Sequence, residues 1–272
     1  MMDILQAIIL GIVQGLTEFL PVSSSGHLIV FKKLFGLEAE TFGLTFDIAV
    51  HMATLVAVIV VLWKDILPLL KKPIQKYVGL IIVATIPAGL IGMLFNDTIE
   101  EISQSGGFLG IAFLITALVL FLSEKVGRQA KKREDITYVD ALVIGGAQAV
   151  AIMPGISRSG STLSAGLIMG LKKAEAVTFA FMMSIPIIAA SAVLGVKDIL
   201  EAPENFDWTV VVAGMIAAGV TGYFAVRFMV NFFKKHSVKG FAIYVAVLGG
   251  LILIDQLFFQ KFFDTFLVFN MR

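Results

Sequence analysis

Two short polar segments interrupt a sequence that is otherwise strongly apolar, and they hold the residues most able to do chemistry. The first reads PVSSSGH over 21–27, and the second reads GISRSGS over 155–161. An offset of 134 residues aligns the two segments, and Arg158 then takes the place of Ser24. A hydroxyl and a guanidinium at equivalent positions of a duplicated segment predict one site to which each half contributes. The flanking residues are the same in both copies: Ser23, Ser25 and Gly26 match Ser157, Ser159 and Gly160.

The side chains around Ser24 predict a nucleophile with a neighbouring base. A serine hydroxyl attacks only when a base activates it. Glu18 is a carboxylate inside an apolar stretch, which is a functional hypothesis by default, and His27 follows Gly26 as a possible acid or base. Either residue could accept the proton of Ser24. Arg158 supplies a fixed cation whose fork suits phosphate oxygens.

The same segments predict a binding site for an anion. Each precedes a short apolar stretch, and a helix that starts there points its free N–H groups and the positive end of its dipole at a ligand. Gly26 and Gly160 allow the backbone to approach that ligand closely. Gln14 lies four residues before Glu18 and shares its helix face. Ser23, Ser25, Ser157 and Ser159 complete the substrate-binding residues predicted from these segments.

Each of these features also has a purely structural interpretation. Serine and glycine often serve helix packing in membranes, and Glu18 with Arg158 alone would suit a buried ion pair. The duplication and the serine-to-arginine exchange favour function. His51 lies four residues after Asp47 and could form a pair of ligands with it on one helix face. We favour a hydrogen-bonded interior histidine instead.

The composition predicts an all-α polytopic membrane protein with a single domain over 1–272. The chain is 58% hydrophobic and 15% charged, with a mean hydropathy of +0.94, far from soluble averages. A net charge of +1 gives no indication of a nucleic-acid partner. The absence of cysteine excludes disulfides and thiolate sites. The first apolar run lacks the basic start and the cleavage site of a signal peptide.

The pattern of apolar runs predicts two similar halves, about 1–133 and about 134–272. The stretches 4–37 and 137–171 are each interrupted by a polar segment, as in repeat-built membrane proteins with a central binding site. We predict that each is a re-entrant helix-loop-helix hairpin. Residues 86–92 resemble 216–222 at an offset of 130. Six further runs are about long enough to span a bilayer as helices: 46–63, 77–95, 107–123, 174–196, 208–230 and 240–259.

The charges of the links predict that the two halves are inverted. The basic links 64–76, 124–135 and 231–239 alternate with the acidic links 96–106 and 197–207. Positive links face the cytoplasm, which puts both termini outside and makes the two hairpins enter from opposite sides. Lys32 and Lys33 break this rule on the outer side, next to the predicted site, where they could serve an anionic substrate.

Two long motifs resemble the bacterial undecaprenyl-pyrophosphate phosphatases, also called bacitracin-resistance phosphatases. The first is QGLTEFLPVSSSGH, from Gln14 to His27, and the second is PGISRSGST, from Pro154 to Thr162. The resemblance covers the whole chain. It implies a catalytic set of Glu18, Ser24, His27 and Arg158, and it adds Thr162 to the substrate-binding residues.

The resemblance also implies an activity and a location. The expected reaction hydrolyses a C55 polyprenyl pyrophosphate to the monophosphate and phosphate, which recycles the lipid carrier of peptidoglycan synthesis. The expected site opens to the outer, periplasmic face of the cytoplasmic (inner) membrane. Some members are associated with a divalent cation, Mg²⁺ or Ca²⁺. Many members have glutamate at position 14, and since glutamine cannot act as a base, we expect Gln14 to position the substrate or a neighbouring residue.

A second function remains open at this point, and so does the oligomeric state. Inverted repeats, broken helices and an anion site near the midplane are also parts of transporters, such as a flippase for a lipid phosphate. A serine beside a carboxylate and a histidine favours hydrolysis, because transport alone needs no nucleophile.

Overall fold

The computed structural model describes residues 2–263, apart from 38, 96–97, 100–101, 103–105, 128–129 and 202–206, and gives the backbone alone at 39–44 and 196–201. The described part is helical and contains no β-strand. Its α-helices in chain order are α1 Ile4–Phe19, α2 Ser24–Leu34, α3 Ala39–Val61, α4 Trp63–Lys71, α5 Lys76–Leu94, α6 Leu109–Val126, α7 Tyr138–Val150, α8 Arg158–Ile168, α9 Lys173–Glu201, α10 Trp208–Phe232 and α11 Lys239–Ile254.

The two stretches with polar segments are each a pair of helices with a break between them. In both stretches the first helix starts with a reciprocal capping box, between Asp3 and Gln6 for α1 and between Thr137 and Asp140 for α7. These boxes satisfy backbone N–H groups that a helix start leaves free. The break lies between α1 and α2 in one stretch and between α7 and α8 in the other, at the polar segments. The interruptions are where the sequence predicted them.

Several helices are long and apolar enough to cross a membrane, so the chain is a multi-pass membrane protein. Five qualify in the described residues: Lys76–Leu94, Leu109–Val126, Lys173–Gly195, Trp208–Phe232 and Lys239–Phe259. A sixth is counted if Thr45–Val61 and Trp63–Lys71, which meet at 80°, form one span. Most of the predicted basic link 64–76 is therefore the helix α4, which turns sharply away from α3. The predicted links 96–106 and 197–207 lie mostly outside the described residues.

The halves pack together through glycines at equivalent positions. Helix α1 packs on α10, and α7 packs on α5. A Cβ atom at Gly11 would lie 2.3 Å from the carbonyl oxygen of Gly214, and one at Gly145 would lie 2.4 Å from that of Ala84. Gly11 and Gly145 are related by the 134-residue offset, and Ala84 and Gly214 by the 130-residue offset. Close backbone approach at small residues is how helices associate where no hydrophobic force drives them together.

We expect Gly145→Ala to destabilise the fold. The added methyl group meets backbone atoms of Ala84 that cannot move aside, and overpacking of this kind typically costs about 1–3 kcal/mol. The matched control is Gly146→Ala, because a Cβ atom there meets nothing within 4 Å. Thermal unfolding in detergent should give a lower midpoint for Gly145→Ala than for Gly146→Ala. Equal midpoints would show that α5 and α7 do not pack as described.

Candidate active site

Serines that the two polar segments share begin the helices that follow the breaks. The hydroxyl of Ser23 accepts the N–H of Gly26 at 3.3 Å, and that of Ser157 accepts the N–H of Gly160 at 3.0 Å. Both are therefore N-caps, of α2 and α8 respectively. Ser23 has a φ of 72°, in the region that favours glycine. The caps fix the first turn of each helix and thereby the directions of Ser24 and Arg158, which come next in the chain.

The two segments lie against each other, as their polarity in a membrane requires. Ser159 donates its hydroxyl to the carbonyl oxygen of Leu20 at 2.8 Å, and the N–H of Gly155 points at the hydroxyl of Ser25 at 3.5 Å. A Cβ atom on Gly26 would come within 3.2 Å of the Cα of Gly155. Close contact thus brings the start of α2 beside the start of α8.

Glu18 joins the two halves of the site. Its carboxylate is buried, with 2% of the side chain exposed. Its Oε1 pairs with the guanidinium of Arg158. Its Oε2 accepts the amide N–H of Gln14 at 2.9 Å and the hydroxyl of Ser24 at 2.6 Å. A serine whose hydroxyl donates to a buried, ionised carboxylate is poised to lose its proton.

His51 also faces Glu18, a contact that the sequence did not predict. Its Nε2 lies 3.6 Å from Oε2 of Glu18. The predicted alternative of a ligand pair with Asp47 is wrong, because His51 bonds to the backbone carbonyl of Asp47 at 2.6 Å through Nδ1. The carboxylate of Asp47 instead binds Lys32, at 2.7 and 2.8 Å. A histidine within an apolar run was the one signal that could have found it.

His27 does not contact this cluster. Its Nδ1 lies 2.7 Å from the carbonyl oxygen of Ser23, and its Nε2 lies 2.8 Å from the hydroxyl of Tyr244. The ring is buried and stacks on the ring of Tyr244. Both nitrogens are therefore occupied, and this geometry suits a residue that holds the start of α2 in place.

The sequence matches one protein family over most of its length. The family model described as bacitracin resistance protein BacA matches residues 7–251. The chain belongs to the bacitracin resistance protein BacA family. An undecaprenyl-diphosphatase of Carboxydothermus hydrogenoformans is 45% identical over 258 residues, which is 94% of this chain and 98% of the relative. For undecaprenyl-diphosphatase 3 of Bacillus cereus the identity is 44% over 94% of this chain and 98% of the relative. For the undecaprenyl-diphosphatase of Rubrobacter xylanophilus it is 40% over 93% and 98%.

This BacA-family chain places the predicted substrate-binding residues in three different settings. Gln14 lies against Glu18, so it contacts a neighbouring residue as expected for a glutamine there. The four flanking serines hold caps or contacts between the segments, while Gly26 and Gly160 supply the N–H groups that the caps bind. Thr162 lies apart, because its hydroxyl donates to the carbonyl oxygens of Arg158 and Ser159 in its own helix. Contact of these residues with substrate stays a prediction.

The acidic residues of the BacA-family site bear on a divalent cation. Within the part of the chain that the structure describes, no three His, Cys, Asp or Glu side chains converge to hold a metal ion. Glu18 already has an arginine, an amide and a hydroxyl on its two oxygens. The described residues therefore form no site built from protein ligands alone for Mg²⁺ or Ca²⁺, which prefer several oxygen ligands. A requirement for either ion stays a prediction from the resemblance.

Proposed function

We propose that this protein is an integral-membrane phosphatase that hydrolyses undecaprenyl pyrophosphate to undecaprenyl phosphate and phosphate. The observation that carries the proposal is the contact of Ser24 with buried Glu18, at 2.6 Å, beside an arginine from the other half of the chain. The relatives named undecaprenyl-diphosphatase, at 40–45% identity over nearly the full length, support the same reaction. Such a reaction recycles the lipid carrier of peptidoglycan synthesis and gives resistance to bacitracin.

The residues around Glu18 supply each part of a phosphoryl transfer. Ser24 Oγ forms a bond to the terminal phosphorus while the bond from phosphorus to the bridging oxygen breaks. The bonding electrons leave with that oxygen on undecaprenyl phosphate, and the serine proton passes to Glu18. Water then hydrolyses the phosphoserine and releases phosphate. Direct attack by a water held on Glu18 gives the same products and stays open.

Arg158 changes partner during this step. Before reaction its charge is balanced by the carboxylate of Glu18. The serine proton neutralises that carboxylate, so the guanidinium charge becomes available to the transferring phosphoryl group. Stabilisation of charge on the equatorial oxygens is the main contribution a protein makes to such a reaction. The starts of α2 and α8 also carry N–H groups, and helix starts of this kind favour the binding of anions such as phosphate.

The membrane arrangement that we propose is one domain, 1–272, made of two inverted repeats. Each repeat, about 1–133 and about 134–272, contributes one re-entrant hairpin and three spans, so that six helices span the bacterial cytoplasmic membrane. The equivalent contacts of α1 with α10 and of α7 with α5 support it. The site then opens to the outer face, because His51 lies in the half of the apolar segment Thr45–Val61 that is farther from the basic helix α4.

An apolar groove on the outside of the molecule suits part of the prenyl chain. It has a volume of about 360 Å³ and lies between α3 and α10. On α3 its lining begins at Ala53, two residues after His51 in the chain. The lining is almost wholly apolar, so a hydrocarbon chain fits it, with the remainder of the chain in lipid. The lining residues are Ala53, Val56, Ala57, Val60, Gly219, Val220, Tyr223 and Phe224.

The test of the proposed function is release of inorganic phosphate by the purified protein in detergent. Detergent micelles have no separated compartments, so a transporter without hydrolytic activity gives no signal. Undecaprenyl pyrophosphate should yield one phosphate and undecaprenyl phosphate. Failure of the parent protein to release phosphate from this substrate would overturn the proposed function.

The proposed orientation predicts which links an impermeant thiol reagent reaches in intact cells. The chain has no cysteine of its own, so single cysteines can be introduced without background. Ile74, which is 99% exposed, and Ala130 lie in basic links and should be protected. Asp207 and Lys261 lie at the ends of spans that are opposite to the basic links, so cysteines at these positions should be labelled. Labelling at positions 74 and 130 but not at 207 and 261 would show that the protein has the opposite orientation.

A further inference from the structure

The three histidines of the chain share one backbone contact. In His27, His51 and His236 the Nδ1 lies 2.7, 2.6 and 3.0 Å from the carbonyl oxygen four residues earlier. A carbonyl oxygen only accepts, so Nδ1 carries the ring proton and Nε2 is an acceptor while the ring is neutral. The three differ in what Nε2 faces. It faces a tyrosine hydroxyl in His27 and a carboxylate in His51, while exposed His236 has no ion-pair partner within the described residues.

The carboxylate oxygen that His51 faces is the one that Ser24 uses. Oε2 of Glu18 accepts the Ser24 hydroxyl at 2.6 Å and lies 3.6 Å from Nε2 of His51. While both acceptors are unprotonated, their lone pairs face each other with no proton between them. A proton that arrives on Oε2 fits that gap. A closure of about 0.6 Å gives an ordinary hydrogen bond, and catalytic hydrogen bonds are often longer before substrate binds.

His51 also connects the buried carboxylate with the surface of the molecule. Only 2% of the Glu18 side chain is exposed, against 32% for His51. A carboxyl group that kept the serine proton could not accept another. The site therefore contains a buried acceptor next to a second, more exposed acceptor.

We infer that His51 is the terminal acceptor of the Ser24 proton, which reaches it through Glu18. The inference rests on the proposed function and names one more residue for it. The O–H bond of Ser24 breaks as its bond to phosphorus forms, the proton binds Oε2, and it then binds Nε2 to give an imidazolium. The imidazolium releases the proton to water, and Glu18 is again a carboxylate. His51 does not touch the substrate, so it acts as a positioning residue for the proton on Glu18.

Charged groups near His51 belong to two pairs. Glu18 of α1 faces its Nε2 and is itself paired with Arg158 of α8. Asp47, one turn earlier on α3, is paired with Lys32 of α2. Helices α9 and α10 also pack on α3, and within the described residues they place no ion-pair partner on His51. Glu18 is thus the charged group that the His51 ring faces.

The first test is His51→Gln, which places a side-chain amide close to the position of Nε2 but cannot accept a proton. We expect turnover to fall by about 10²-fold, the low end of what acid–base catalysis contributes, with little change in KM. The parent rate should fall on acidification, because a His51 that already carries a proton cannot accept another. That fall should be smaller in the His51→Gln variant. A parent-like turnover and an unchanged profile would overturn the inference.

A second variant keeps the test decisive if His51→Gln folds poorly. His51→Ala leaves space at a partly exposed position, so added imidazole should restore part of the lost turnover in its neutral form. The matched control is His236→Gln, which removes the same backbone contact from an exposed ring that has no ion-pair partner within the described residues, and it should behave like the parent. Loss without rescue by imidazole would show a structural role. A parent that releases no phosphate overturns the proposed function, whereas an active parent with unaffected His51 variants overturns this inference alone.

Discussion

Replacing Arg158 by alanine is expected to lower turnover by about 10³–10⁵-fold, the range for arginines that stabilise a transferring phosphoryl group. The variant loses the cation that meets the developing charge when Glu18 takes up the serine proton. Arg158→Lys keeps the charge but loses the bidentate fork, so we expect strong impairment there too. The measurement is phosphate release by purified variants at saturating undecaprenyl pyrophosphate.

Folding has to be checked in the same experiment. Without Arg158, the carboxylate of Glu18 is buried and lacks its cation, which can cost about 3–5 kcal/mol. The double variant Glu18→Gln with Arg158→Ala removes both charges and should recover stability without activity. Arg227→Ala is the matched control, because Arg227 is exposed and, among the residues that the structure describes, its hydrogen bond is to Tyr223 on the same helix. Near-parent turnover in a folded Arg158→Ala protein would make Arg158 a structural residue.

Ser24→Ala is expected to abolish hydrolysis and leave substrate binding largely intact. The hydroxyl of Ser24 is the one serine hydroxyl that donates to Glu18 in the described structure. Ser23→Ala removes an N-cap and should cost about 0.5–2 kcal/mol while keeping measurable activity. Ser25→Ala should also remain active, because Ser25 contacts only Ser23 and the backbone of Gly155.

The comparison needs phosphate release and a separate binding measurement for all three variants. If Ser24→Ala hydrolyses like the parent while Ser25→Ala is inactive, the nucleophile is one residue later than proposed. A Ser24→Ala protein with reduced but clear turnover would favour attack by water on Glu18. Trapped phosphoserine in the parent would exclude that route.

The repeated polar segments made much of the site predictable. The serines kept in both copies indicated what the two segments share, which the structure shows to include the caps of α2 and α8, while the exchange of Ser24 for Arg158 indicated what differs. The polar segments had to meet because lipid offers their backbone no partners. Gln14 and Glu18 share a helix face by spacing alone. These inferences depend on the spacing of residues along one helix or on the repeated segments, and both can be read from a single sequence.

His27 and His51 show where this reasoning stops. Both are near the site in sequence or in space, but the direction of each ring is set by helices distant in the chain. Tyr244 of α11 engages His27, while the packing of α3 beside α1 turns His51 toward Glu18. The sharp bend between α3 and α4 was missed for a related reason. Its apolar and basic residues fit a loop as well as a short helix at the membrane surface.

The pairing of α1 with α10 sets a constraint on how the chain is made. Helix α1 is about 24 Å long at 1.5 Å per residue, shorter than a hydrocarbon core of about 30 Å, and it carries Gln14 and Glu18. Its partner emerges roughly 190 residues later, which at about 5–20 residues per second is about 10–40 s of synthesis. The ribosome supplies α8 before α10, so for most of that interval the carboxylate has neither its arginine nor its helix neighbour. The nascent chain must therefore keep its first helix at the bilayer surface or within the insertion machinery until the second half arrives.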